Sequence, residues 1–262
     1  MTNEARLQAA REFIQSRGEV TIGELQALYQ DYSAMTLWRD LKQLEEQGSI
    51  RRVHGGAISM LAATPQLEGV YSKRARENIH AKNAIAQAAL SFVSPGHSVY
   101  IDAGSTMMSV VNMMGPERYT IVTSGANIAI ELSQRHACDV LLTGGQISEN
   151  TLSCSGTQAE SFIETINIDV ALMATSGFSM ASGFTSGSQS ESLLKKAIIR
   201  KAGCVVLLMD ATKLGRSLPF TFAKLSDVDV WICDKPFPRE IRRTAEQAGV
   251  RCLVAQDAAE RE

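Results

Sequence analysis

No apolar run in this chain of 262 residues reaches the roughly 18 consecutive positions that a membrane-spanning helix requires, and no membrane partner is expected. The opening stretch MTNEARLQAAREF is polar and helix-forming, without the apolar block of a secretory signal, so a cytoplasmic location is expected. Five cysteines (Cys138, Cys154, Cys204, Cys233 and Cys252) are scattered, odd in number and never spaced C-x-x-C. That pattern argues against a disulfide framework and against structural zinc, and points to free thiols in a reducing compartment. His80, His97 and His136 belong to no Cys/His ligand pattern, read as surface or packing histidines, and leave no metal or cofactor expected. Neither sign of charge dominates: 26 Lys and Arg against 28 Asp and Glu leave a formal charge of −2. No global field would recruit nucleic acid, and any such contact must come from a local patch. Internal repeats and low-complexity tracts are missing as well.

What is present is a globular composition, 45% hydrophobic and 21% charged, with enough apolar material for a sizeable core. A chain of this length favours two domains, since domains cluster at roughly 100–150 residues. The pattern changes at residues 60–70. Before it come three helical segments and a short basic hairpin. After it, short β-branched runs alternate with helices, as in an α/β domain. The small, Pro- and Gly-bearing stretch LAATPQLEG within 61–70 reads as a linker between domains 1–60 and 71–262.

In the first domain Leu7, Ala10, Phe13 and Ile14 recur at helical spacing from Glu4 to Arg17, with Gly18 as the stop. Thr21-Ile22-Gly23-Glu24 is a capping box that opens a short second helix ending near Tyr29. Ser33 is an N-cap for a third, on which Leu37, Leu41 and Leu44 form one apolar stripe, with Gly48 at its end. Ile50 to His54, Gly55-Gly56 and Ala57 to Ser59 read as two strands around a tight turn.

This is the order of a winged helix-turn-helix. With the leucines inward, about 100° per residue places Met35, Trp38, Arg39 and Lys42 on the outer face of the third helix. Such a face fits a major groove, with Arg39 on a guanine edge and Arg51, Arg52 and His54 of the wing reaching phosphates. Through residue 60, however, acidic residues outnumber basic ones by one. A helical module that uses the same helix against protein therefore remains open; the concentration of basic residues on one surface favours DNA.

In the second domain Val99 to Asp102 leads into Ala103-Gly104-Ser105-Thr106, Ile121 to Thr123 into Ser124-Gly125-Ala126-Asn127, and Val140 to Thr143 into Gly144-Gly145. Strand-to-helix turns of this kind offer amides and hydroxyls at the carboxyl edge of a sheet, a setting for an anionic small molecule. Glu191 and Lys195 stand four apart on a helix that begins near Ser188, as a surface ion pair or as pocket groups facing hydroxyls and an anion. Val205 to Met209 reads as a buried strand ending in Asp210 and Lys213, where Asp210 either lines a site or caps the next turn.

The sequence from Ser33 through Thr36, Arg39-Asp40-Leu41 and Leu44 to Arg52-Val53-His54-Gly55-Gly56-Ala57 resembles the DeoR-type bacterial transcriptional repressors, and the resemblance extends over nearly the whole chain. It implies a winged helix-turn-helix domain followed by an α/β effector domain related to sugar-phosphate isomerases. On that basis operator DNA would meet Ser33, Met35, Thr36, Trp38, Arg39, Lys42, Arg51, Arg52, His54 and Gly55. A first ligand loop would comprise Asp102, Gly104, Ser105 and Thr106; a second Ser124, Gly125 and Asn127; a third Gly144 and Gly145. Glu191, Lys195 and Lys213 would supply the polar lining. The implied function is a homo-oligomeric repressor of carbohydrate catabolism, bound to double-stranded operator DNA and released by a phosphorylated sugar, with Tyr71–Phe92 as the coupling segment. The alternative is a sugar-phosphate isomerase or deaminase in which Asp102, Glu191 and Lys195 act as base, acid and enediolate stabiliser.

Trp38 departs from the family, which usually has two basic residues before the Asp. It either packs within its own domain or lies along the groove against thymine methyl groups. Ser105 for Thr, which keeps the hydroxyl, and Thr212 for Ser are mild further departures, and Ser124-Gly125 for Thr-Asn is the one that bears on sugar specificity.

Overall fold

A computed structural model describes residues 3–17, 19–53, 55–59, 71–135 and 138–255. The chain divides into two units, Met1–Leu67 and Glu68–Glu262, while the linker expected at 61–70 and the stop at Gly18 lie outside the described residues.

The first unit runs α1 (Asn3–Arg17), β1 (Glu19–Thr21), α2 (Ile22–Leu28), α3 (Ala34–Glu46), β2 (Ile50–Val53) and β3 (Gly56–Ser59). The capping box forms: Glu24 N donates to Thr21 Oγ1 at 3.2 Å and Thr21 N donates to Glu24 Oε2 at 2.8 Å. Ser33 accepts from Thr36 N and opens α3. At the other end Gly48 adopts a φ of +71°, and Ser49 N reaches Leu44 O at 3.0 Å, satisfying a carbonyl the helix leaves free. Leu37, Leu41 and Leu44 pack on Leu7, Ala10 and Ile14 of α1, with Leu25 and Ile50 closing the core.

The hairpin differs from expectation in two ways. Val53 pairs with Gly56, so Gly56 belongs to the second strand rather than to the turn, and β1 joins as a third strand in the order β1-β3-β2. The two glycines accordingly serve different needs. Gly55 takes the left-handed φ of +85°, whereas a Cβ on Gly56 would stand 2.0 Å from the Val20 carbonyl oxygen of β1.

The second unit is built on a seven-stranded parallel sheet. In chain order its elements are α4 (Tyr71–Arg76), α5 (Ile79–Leu90), β4 (Ser98–Ile101), α6 (Ser105–Met113), β5 (Tyr119–Thr123), α7 (Ala126–Ser133) and β6 (Cys138–Leu142). A small hairpin, β7 (Gln146–Ile147) and β8 (Cys154–Ser155), precedes α8 (Thr157–Glu164) and β9 (Ile168–Ala174). Then come β10 (Gly177–Ser179), β11 (Gly183–Ser186), α9 (Gln189–Lys201), β12 (Ala202–Met209), β13 (Phe220–Ala223), β14 (Val230–Cys233), α10 (Arg239–Gln247) and β15 (Arg251–Val254). Strand order in the main sheet is β15-β14-β12-β9-β4-β5-β6, and β10-β11-β13 form a smaller antiparallel sheet.

The central strands read as continuous apolar runs because helices or the smaller sheet cover both faces. Along β4, Val99 and Ile101 enter one core with Ile121, Leu172 and Leu208, while Tyr100 enters the other with Met173 and Leu207. That second core centres on Trp231, whose ring lies 4.6 Å from Phe178, 4.8 Å from Phe237 and 5.0 Å from Phe184. The chain lays β5 and β6 on one side of β4 and then returns to place β9 on the other. Connections leave the carboxyl ends of β4 and β9 in opposite directions, and open α/β sheets form their ligand crevice at such a reversal.

Candidate functional site

In the first unit the outer face of α3 carries Met35, Arg39 and Lys42, all exposed. Trp38 is half-buried and packs against the leucine core, so its own domain holds the indole and leaves only part of it on the surface. Ser33 and Thr36 are occupied with each other in the cap, their hydroxyl oxygens 3.1 Å apart. Lys42 lies 3.8 Å from Glu46. Arg51 points outward from β2, and Gly55 is exposed at the turn, while His54 lies outside the described residues.

Arg52, expected to reach a phosphate, is exposed and is engaged in a surface ion pair. Its Nε donates to Glu45 Oε2 at 2.7 Å and its backbone N to Glu45 Oε1 at 2.8 Å, which ties the wing to α3 and holds the Glu45 carboxyl below its ordinary pKa.

One constellation escaped the sequence reading. Arg6 of α1 grips Asp40 of α3 through two hydrogen bonds, at 2.6 and 3.0 Å, and its guanidinium lies 4.4 Å from the centre of the Tyr32 ring. Asp40 falls on the inner side of α3 between Arg39 and Leu41, and a carboxylate there needs a buried cation. That helical angle was the available signal; the identity of the partner, 34 residues away, was not.

In the second unit a polar pocket opens at the β4/β9 reversal. Its floor and walls include Asp102, Gly104, Ser105 and Thr106, then Glu191 and Lys195 from α9, and Lys213 beyond β12. Asp102 is fixed from several sides. Its Oδ1 accepts from Ala103 N and its Oδ2 from Ala174 N, each at 2.9 Å, and Lys195 Nζ donates to the same carboxylate. Lys195 also reaches the Ala174 carbonyl at 3.0 Å and lies over the Phe222 ring at 5.2 Å. Glu191 accepts from the hydroxyls of Thr151 and Ser186. Tyr100, buried and beside Asp102, has its hydroxyl pKa pushed well above the ordinary value, first by burial and then by that charge. At the rim, Gly104 precedes α6 with a φ of +131°, no side chain caps the helix, and the space before the glycine is open.

Of the remaining walls only Asp210 was anticipated. Arg74 comes from α4, Glu77 and Asn78 from the link that follows it, Lys82 from α5, Thr151 and Ser153 from the β7–β8 connection, and Asp210 from the end of β12. Asp210 does cap the following turn, accepting from Thr212 N at 3.1 Å, and it also accepts from Asn78 Nδ2 at 3.3 Å. Lys82 is buried and donates to the carbonyls of Arg74 and Glu77; burial lowers its pKa, partly offset by Asp210.

Ser124, Gly125, Asn127, Gly144 and Gly145 do not line this pocket, contrary to expectation. The β7–β8 connection covers the start of α7: Ala126 N donates to Leu152 O at 2.9 Å, and Cys154 N donates to Ser124 O at 2.7 Å. The Ser124 hydroxyl accepts from Tyr100 at 2.8 Å, Gly125 N is taken by Thr123 Oγ1, and Asn127 lies against Tyr71. Gly144 and Gly145 turn the chain out of β6, and a Cβ on Gly145 would stand 2.4 Å from the Ser155 carbonyl oxygen. Among the described residues no helix is long and apolar enough to cross a membrane.

A winged helix-turn-helix unit, followed by a doubly wound α/β unit with a polar pocket at its switch point, defines a DNA-binding regulator with a small-molecule sensor. Residues 6–62 match the DeoR-like helix-turn-helix domain and residues 77–235 the DeoR C terminal sensor domain. The chain belongs to the DeoR family of transcriptional regulators. It is 37% identical over 221 residues to the HTH-type transcriptional regulator GlpR of Haloferax volcanii, covering 84% of this chain and 85% of that protein. It is 30% identical over 244 residues to the regulator GolR of Listeria innocua, with 93% and 95% covered. To the transcriptional repressor GlcR of Bacillus subtilis it is 29% identical over 256 residues, covering 98% of each. Among solved structures it is similar to ribose 5-phosphate isomerase A of Methanocaldococcus jannaschii, with a TM-score of 0.38 and 14% identity over 51% of this chain and 53% of that one. A likeness that slight bears on neither fold nor function.

Proposed function

We propose that this regulator represses a carbohydrate-catabolism operon and leaves its operator when a phosphorylated sugar enters the pocket of the second unit. The observation that carries this reading is the uncapped start of α6 at Gly104, which opens onto a cleft walled by paired acids and cations. Amides at a helix start, together with the Ser105 and Thr106 hydroxyls, suit a phosphate group. Glu191 and Asp210 then face sugar hydroxyls, and the Lys195–Asp102 pair keeps the site near neutral until an anion competes for the ammonium.

Arg74, Glu77, Asn78 and Lys82 belong to the segment through which the chain enters this unit. A ligand that draws Lys82 from the carbonyls it now holds changes how that segment ends, which supports Tyr71–Phe92 as the coupling element. Release requires tighter binding of the sugar to the DNA-incompetent arrangement, since equal affinity shifts no equilibrium. The protein acts in the cytoplasm as a homo-oligomer, because paired operator half-sites multiply affinity. The isomerase or deaminase alternative gains no support from the relatives above, which are named as regulators.

The test is fluorescence anisotropy of a protein–operator complex challenged with a panel of sugars, each with and without its phosphate, while turnover is followed in parallel. Release by one phosphorylated sugar with no product formed is expected. Release by unphosphorylated sugars alone, or turnover of a phosphosugar, would overturn the reading.

A further inference from the structure

The outer face of α3 carries more apolar surface than a groove-reading helix needs for phosphates or guanine. Met35 is 76% exposed, the most exposed large apolar side chain among the described residues. It stands in the first helical turn, immediately behind the Ser33 cap, and recognition helices present their N-terminal residues to base edges. Met35, Trp38, Arg39 and Lys42 fall within one sector about 100° wide, opposite the leucine stripe. Trp38 is held against the core and stands three positions after Met35, on the neighbouring turn of the same face.

Polar readers on the same face are few. Arg39 makes no ion pair among the described residues, Lys42 shares its charge with Glu46, and the Ser33 and Thr36 hydroxyls are engaged with each other. The major groove has one apolar feature, the C5-methyl of thymine, and a flexible, polarizable methionine side chain suits it.

We propose that Met35, braced by Trp38, selects operator half-sites by packing on a thymine methyl group beside the base read by Arg39. This specificity rests on the DNA-binding reading above and adds an apolar contact as its discriminating element. Methyl readout by Met35 also explains how the helix tolerates an indole at position 38: the missing charge is replaced by shape.

The test uses the full chain. Binding duplexes are selected from a randomised pool, and each thymine of the recovered half-site is replaced singly by uracil, which removes only the methyl. Affinities are measured for the wild type and for Met35→Ala, whose exposed position leaves the core unchanged, with the fold checked by circular dichroism. At one or two positions uracil is expected to weaken wild-type binding about three- to fivefold, the effect of one buried methyl. Met35→Ala is expected to bind thymine and uracil duplexes equally. Wild-type binding that ignores uracil everywhere, or a Met35→Ala protein that keeps the wild-type thymine preference, overturns this inference alone. A pool that yields no enriched duplex overturns the DNA-binding reading and this inference with it.

Discussion

The Arg6–Asp40 pair sets the orientation of α3, and breaking it should cost the first unit a large part of its stability. Both side chains are nearly buried, at 10% and 6% exposure, and Asp40 accepts two hydrogen bonds from one guanidinium. Arg6→Met leaves the carboxylate without its cation, a loss of about 3 kcal/mol at the lower end for a broken buried pair, since Arg6 sits just beneath the surface. A unit of roughly 60 residues has only about 3–9 kcal/mol in total. The single substitution therefore removes a third or more of that stability, at the low end leaving the unit barely folded, and operator affinity falls with it. Replacing both partners, Arg6→Met with Asp40→Leu, removes the stranded charge and should restore most of the stability. Urea unfolding followed by Trp38 fluorescence provides the readout in a Trp231→Phe background, because the chain has only these two tryptophans. A single substitution within 0.5 kcal/mol of wild type, or a double variant no better than the single one, would refute this account of the pair.

In the second unit, Lys195→Met strands Asp102, which is 3% exposed, and should lower unfolding stability by about 3 kcal/mol while abolishing the response to phosphosugars. Adding Asp102→Asn should recover stability but not the response; recovery of both would show that the pair has no part in sensing. Burial raises the Cys233 thiol from 9.0 to about 12. The fold favours the protonated thiol, and the unfolded chain gives up that proton from pH 9, so this group's contribution to stability declines as pH climbs from 9 toward 12. Cys233 should resist alkylation at pH 8, and Cys233→Ala should flatten the fall of Tm above pH 9. Modification at the rate of a free thiol would contradict this burial.

The legible features of the sequence were local or periodic. The Thr21–Glu24 box, the Ser33 cap and the α3 stripe each lie within one or two helical turns, and each formed where expected. Trp38 lay between its two readings: its angle on the helix was legible, but its contact with the core depended on how α3 tilts. In the second unit the Gly-Ser turns after β4 and β5 carry the same local signal, yet only the first faces the pocket. Strand order makes that difference: β4 borders the reversal, whereas the turn after β5 is capped by the backbone of the β7–β8 connection. Asp102, Glu191, Lys195 and Lys213 meet because β4, α9 and the end of β12 converge there, a meeting that spacing along the chain does not encode. Lys82 and Thr151 carried no sequence signal for the same reason.

The most direct test of DNA-directed regulation is anisotropy of the fragment upstream of this protein's own coding region, titrated against random duplex at low and moderate salt. With Lys42 and Arg51 as the exposed cations left for phosphates, Arg39 directed at a base and Arg52 held by Glu45, a shallow dependence is expected, with log affinity falling by about two per log unit of salt for each half-site. Binding to the upstream fragment should exceed binding to random DNA at both salts. Equal affinity for the two duplexes at either salt would contradict sequence-specific recognition of that fragment by α3.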